Sequence, residues 1–130
     1  MTKHPYRDLA VETVPISTPK ASQNARTHSK NYIAQIARSM KDFGWTIPIL
    51  VDGNGVVIAG HGRLEAAKLL GLKRVPVIRI DDMSEAQVRA YHLADTKLAL
   101  NARWNEGLLG FELRDLIKLA PEFAKYQISN

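Results

Sequence analysis

From Lys30 onward, apolar residues return at intervals of three and four: Ile33, Ile36, Ala37, Met40 and Phe43. That period puts them on one face of an amphipathic helix. Ser29 stands ahead of it as an N-cap and Gly44 behind it as a stop. The pattern then changes. "TIPILVD" (46–52) and "VVIA" (56–59) predict two buried strands, with Gly53-Asn54-Gly55 as the hairpin turn between them. Helical spacing resumes in "RLEAAKLLG", with Leu64, Ala67 and Leu69 or Leu70 on one face and Gly71 at the end. "RVPVIRI" (74–80) alternates as a third strand. Pro76 has no N–H to give, which predicts an edge strand or a strand start.

Ser84 and Gln87 have capping-box spacing and open a further helix over 85–100, with Ala86, Val88, Leu93 and Leu98 as its expected apolar contacts. "NARWNEG" breaks that pattern, and a last helix is expected over 108–123, with Pro121 marking its end. At the other end, "LAVETVPI" (9–16) is a short β-rich segment. Residues 17–29 are polar and aperiodic, a loop of a length that is often functional in compact domains. The order is strand, loop, helix, hairpin, helix, strand, helix, helix. That is an α+β arrangement rather than a regular βαβ alternation.

Composition narrows the picture. A chain of 130 residues is expected to build one core. The absence of cysteine excludes disulfides, cysteine-ligated zinc and thiol catalysis, and suits a cytoplasmic protein. No apolar run reaches the roughly 18 residues of a membrane span, and "MTKHPYRDLAVETV" has no signal-peptide core. No membrane partner is expected. The net charge of +5 favours an anionic partner, a nucleotide or a nucleic acid, although the basic residues form no run.

The chemistry concentrates at Ala59-Gly60-His61-Gly62-Arg63, where an apolar run gives way to a helix. Gly60 and Gly62 are read as residues of positive φ that let backbone approach a ligand. N–H groups at the helix start can hold an anion, Arg63 adds a phosphate fork, and His61 adds a donor. A plain glycine turn with a solvated Arg63 explains the same letters. A second polar box, Asn24, Arg26, Thr27 and His28, also precedes a helix, and a solvated loop explains it equally. A third, around Asp95, Thr96, Lys97, Asn101 and Arg103, includes in Asp95 a hard oxygen ligand for Mg²⁺, or else forms a solvated helix face. Of the four histidines, His4, His28, His61 and His92, no pair has metal-site spacing, and His92 reads as structural. There is no Walker A lysine motif and no GxSxG.

Taken in order, "NARTHS", "IAQIARSMKDFGWTIPILVD", "VVIAGHGRLEAAKLLGLKRVPVIRI" and "LADTKLALNARW" resemble the ParB/sulfiredoxin superfamily, and more narrowly the ParB-like "nuclease" domains of phages and of DNA methyltransferase neighbourhoods. The resemblance implies a small mixed sheet with helices packed around it. It implies a ParB-like domain over 1–105, with its core at 24–105, and a helical extension over 106–130. It also implies a nucleotide site. The Gly60–Arg63 box would wrap the phosphates, the Asn24–His28 box would join the same pocket, and Thr96 and Lys97 would supply a third side with Asp95 on a metal. In partition ParB proteins the nucleotide is CTP, slowly hydrolysed, and it switches a DNA clamp.

The sequence departs from those relatives at known points. His61 and Gly62 stand where partition proteins carry Glu and the first of two arginines, and Asp95-Thr96 stands for Glu-Asn, which leaves CTP and ATP both open. His61 also stands where sulfiredoxins have their cysteine, which excludes sulfinic acid reduction. No helix-turn-helix pattern follows Asn105, so sequence-specific DNA reading by this chain alone is not expected.

The reading is a domain that binds a nucleoside triphosphate, with Mg²⁺ and slow hydrolysis, beside DNA partners. The alternatives are a nuclease and a DNA-binding or adaptor domain of a DNA-modification or partition system. A small-molecule kinase on the same pocket, with Glu65 as the candidate base, is a remoter one.

Overall fold

The computed structural model describes residues 7–22, 28–101 and 106–126 of the chain. Their elements run β1 (Val11–Pro15), α1 (Lys30–Phe43), β2 (Ile49–Asp52), β3 (Val57–Ala59), α2 (His61–Leu69), β4 (Arg74–Ile80), α3 (Glu85–Asn101) and α4 (Glu106–Leu119), with a 3₁₀ turn at Pro121–Tyr126. The strands form a mixed sheet in the order β1-β4-β2-β3. β1 and β4 are antiparallel, β4 and β2 parallel, and β2 and β3 a hairpin. The expected α+β fold with a small mixed sheet and surrounding helices is what forms.

The local signals act as expected. Asp52 Oδ1 accepts from the N–H groups of Asn54 and Val56, at 2.8 and 2.9 Å, which closes the turn between β2 and β3. Gly44 takes φ +78° after α1, and its N–H donates to Met40 O at 2.9 Å. β2 begins at Ile49 rather than at Thr46, because Trp45 Nε1–H donates to Ile47 O at 2.5 Å and curls the chain just before the strand.

The chain divides into two compact units, 1–93 and 94–130. In the first, Ile49, Val51, Val57, Leu64, Ala67, Val75 and Val77 form the core, with Met40 and Trp45 packed against it. α1 lies on α2 and contributes the buried Ala37. In the second, α4 carries no buried residue, and Leu108, Phe111 and Leu119 are exposed.

Several expectations are corrected. β4 is an interior strand, between β1 and β2. Pro76 is tolerated there because β2 first pairs at Val77, so only β1, at Thr13, lies beside it in the ladder. Phe43 is 57% exposed and lines a cleft rather than joining the core. Leu93 and Leu98, five residues apart and so off a common helix face, are 67% and 69% exposed, and Ala86 is exposed too. Val88 is half-buried. On α2 the buried residues are Gly62, Leu64, Ala66 and Ala67, while Leu69 is exposed. The last helix starts two residues earlier than expected and ends at Leu119, with the 3₁₀ turn following.

Candidate anion-binding turn

β3 delivers the chain to the start of α2 through Gly60, whose φ of +105° and ψ of +20° lie in the left-handed region. A Cβ there would stand 3.3 Å from Ile49 Cα, so the turn passes flush over the beginning of β2. Gly62 has a different reason to be glycine. It lies inside α2 without positive φ, which corrects the sequence reading. It is buried, and a Cβ would come within 2.9 Å of Ile36 Cδ1 and 3.5 Å of Tyr32 Cε2. The missing side chain lets α1 close onto the first turn of α2.

The helix starts differ in how their first N–H groups are served. At α1, Ser29 Oγ accepts from Tyr32 N–H at 3.1 Å. At α3 the capping box forms in both directions, Gln87 N–H to Ser84 Oγ at 3.1 Å and Ser84 N–H to Gln87 Oε1 at 2.8 Å. At α2 the cap residue is Gly60, and no side chain caps it. The helical ladder begins with Leu64 N–H to Gly60 O at 3.0 Å, so the N–H groups of His61, Gly62 and Arg63 precede it. They sit at the positive end of the helix dipole, the usual setting for an oxyanion.

Histidines gather around this turn. Ser22 N–H donates to His61 Nε2 at 3.3 Å. An N–H can only donate, so this bond makes Nε2 the acceptor and puts the proton of neutral His61 on Nδ1. His92 Nδ1 lies 3.0 Å from Ile58 O. A carbonyl can only accept, so Nδ1 carries the hydrogen there. The two rings meet edge-on, with centroids 6.4 Å apart and planes at 79°. His28 stacks on Tyr32, with centroids 4.9 Å apart, and its Cδ2 is 3.8 Å from where a Gly62 Cβ would stand. Burial holds the His61 imidazole below its ordinary value of 6.5, His92 and His28 push it the same way, and Glu65 acts against them.

Arg63 is half-buried and lines a cleft of about 370 Å³ with Met40, Phe43, Trp45 and Thr46. Arg63 thus shares a cleft with the aromatic residues Phe43 and Trp45. A second cleft, about 340 Å³, lies between Arg7, Leu9 and Asp81 and shares no residue with the turn.

Of the residues singled out in sequence, Gly60, His61, Gly62, Arg63 and His28 come together. Asn24, Arg26 and Thr27 lie outside the described residues, as does Arg103. Asp95, Thr96 and Lys97 belong to α3 in the second unit, with Asp95 and Lys97 exposed. Glu65 is exposed on α2 and pairs with Lys68 at 3.7 Å. Sequence reasoning missed His92 and Ser22. Their proximity to His61 spans 31 and 39 residues, and nothing local signals it.

The fold is that of a small α+β domain with a glycine turn between strand and helix. The chain belongs to the ParB N-terminal domain family, whose profile matches residues 2–96. It is 48% identical over 66 residues to the ParB-like nuclease domain-containing protein YnaK of Escherichia coli K12, covering 51% of this chain and 76% of that one. It is 40% identical over 60 residues to a probable chromosome-partitioning protein ParB of Treponema pallidum, covering 43% of this chain and 18% of the relative. The chain spans 18 to 30% of the length of the partition relatives. Among solved structures, the C-terminally truncated ParB of Caulobacter crescentus complexed with CTP-γ-S superposes with a TM-score of 0.70 at 20% identity, over 92% of this chain and 66% of that one. No helix among the described residues is long and apolar enough to cross a membrane.

Proposed function

We propose that this domain binds a nucleoside triphosphate, CTP or ATP, by cradling its phosphates on the Gly60–Arg63 turn, and that it acts with DNA-associated partners. The observation that carries the reading is the α2 start. It alone among the starts of α1, α2 and α3 in which a cap is described has a left-handed glycine in place of a capping side chain. Its N–H groups, the Arg63 guanidinium and the His61 imidazole supply donors of three kinds to one anion. The cleft beside Arg63 leaves room for the part of a ligand beyond its phosphates. Family membership supports the reading, as does the CTP-γ-S carried by the Caulobacter neighbour.

Asn24, Arg26, Thr27, Thr96 and Lys97 enter this proposal from the sequence resemblance alone, and so does Mg²⁺. Asp95 presents an exposed carboxylate, a hard oxygen donor of the right kind. Among the described residues no three His, Asp or Glu side chains form a metal cluster. When bound, Mg²⁺ would neutralise phosphate charge. Slow hydrolysis belongs to the proposal too; Glu65 stays the candidate base of the remoter small-molecule kinase reading.

The deciding experiment is a thermal-shift panel of CTP, ATP, GTP and a non-hydrolysable CTP analogue, with and without Mg²⁺. A ligand at 100 times its Kd adds about 2.7 kcal/mol, a shift on the order of 10 °C for a domain of this size. A selective shift that Arg63→Ala removes is the expected result. No shift with any nucleotide sinks the reading and moves direct DNA binding, favoured by the +5 charge, to first place. A steep loss of DNA affinity with salt would then identify that activity.

A further inference from the structure

The segment that leads out of β1 is fastened to the rest of the first unit along its length, first where Ile16 N–H donates to Lys73 O at 2.9 Å and then at Lys20 and Ser22. At Lys20 the fastening is all backbone: Lys20 N–H donates to Gly55 O at 2.9 Å, and Val57 N–H donates to Lys20 O at 2.8 Å. Neither bond involves a titratable group. Two residues on, the fastening passes through an imidazole, Ser22 N–H to His61 Nε2. Ser22 is the last described residue before the stretch that contains Asn24, Arg26 and Thr27.

We propose that His61 is a proton-operated latch: its neutral imidazole accepts from the Ser22 N–H at the start of α2, and protonation at Nε2 breaks that bond. A protonated Nε2 is a donor and so faces the Ser22 N–H with a second hydrogen. The bond does not weaken by degrees; it changes from attractive to repulsive. The surroundings set the direction. His28 faces the ring from the β1–α1 connection, and His92 from α3. Among the described residues Glu65, on α2 itself, is the carboxylate acting on it. The α2 dipole also opposes positive charge at the helix start. His92 is fixed in turn by Ile58 O, so it is held beside His61. The Lys20 bonds involve no titratable group, so the change is local to the Ser22 N–H.

The test is two-dimensional NMR of the whole chain between pH 5 and 8, which reads imidazole titration together with amide exchange. The His61 midpoint should lie below 6.5. Protection of the Ser22 amide, relative to that of Val57, should fall on the order of tenfold through that midpoint. In His61→Gln the side-chain carbonyl accepts at any pH, so the Ser22 protection should lose its dependence on pH. In His92→Gln the midpoint should rise, because a like charge is gone. The latch is overturned by a His61 midpoint at or above 6.5, by Ser22 protection that stays constant against Val57, or by a fall that persists in His61→Gln. Should His61→Gln not fold, the wild-type and His92→Gln titrations decide alone.

Discussion

The starts of α1 and α2 are neighbours in the fold and opposites in chemistry. α1 follows a serine that caps its own helix, and the capping bond uses up Tyr32 N–H. α2 follows a glycine that caps nothing, in a conformation a side chain rarely adopts. One start is capped by a side chain of its own chain; the other has no capping side chain. The contrast reaches the packing. The first turn of α2 is buried at Gly62 and Leu64, fixed from beneath by Ile49 and from above by Ile36 and Tyr32. α1 has a single buried residue, Ala37, and exposes Tyr32 and Phe43. A rigid, uncapped turn suits ligand binding, because its donors are in place before the ligand arrives.

The largest test of that contrast is Arg63→Ala. Losing a charge-assisted contact should cost roughly 1.5–3 kcal/mol, or about 10- to 150-fold in nucleotide affinity, with little change in melting temperature. Titration calorimetry reads it, and unchanged affinity would remove Arg63 from the site. Gly60→Ala comes next. Its φ of +105° and the 3.3 Å approach to Ile49 Cα predict a loss of about 1–3 kcal/mol of stability by urea unfolding. A neutral result would mean that the turn relaxes freely and is not preorganised.

Ser29→Ala touches the capped start only. It should lower stability by about 1 kcal/mol and leave nucleotide affinity unchanged. Weaker binding with unaltered stability would show that Ser29 faces the ligand and that the two starts do not divide the roles. The smallest effect concerns pH. His61 titrates below 6.5 in the folded chain and near 6.5 in the unfolded one. Its contribution is complete above pH 6.5 and is lost as pH falls from there toward the lower folded value, where the unfolded chain binds more protons. Urea melts at pH 7.5, 6.5 and 5.5 should show this decline, shallower in His61→Gln. An identical slope in the variant would rule His61 out as its source.

How much of this was legible in the letters varies with the range of the interaction. The Ser29 cap, the Ser84–Gln87 box, the Asp52–Gly55 turn and the Gly44 stop involve bonds spanning at most four residues, and all formed as read. The Gly60–Arg63 box was visible as glycines beside a histidine and an arginine at a strand–helix junction. Its two glycines look alike in sequence, yet only the fold shows that one serves a backbone angle and the other a helix contact. Pro76 predicts an edge strand or a strand start because a central strand should use every N–H. That β2 starts one residue late beside it is a matter of register, invisible in "RVPVIRI". Leu93 and Leu98 look like core residues by composition and are exposed because five-residue spacing shares no face.

What the sequence determined by itself, then, are the elements with their caps and turns, because each rests on neighbours along the chain and on the bonding capacity of single residues. The tertiary structure alone decided the strand order, with β4 inside the sheet, and the meeting of His28, His61, His92 and Ser22. Those meetings bring together residues tens of positions apart. They are fixed by how a sheet and two helices bury their shared core, and no local pattern encodes that.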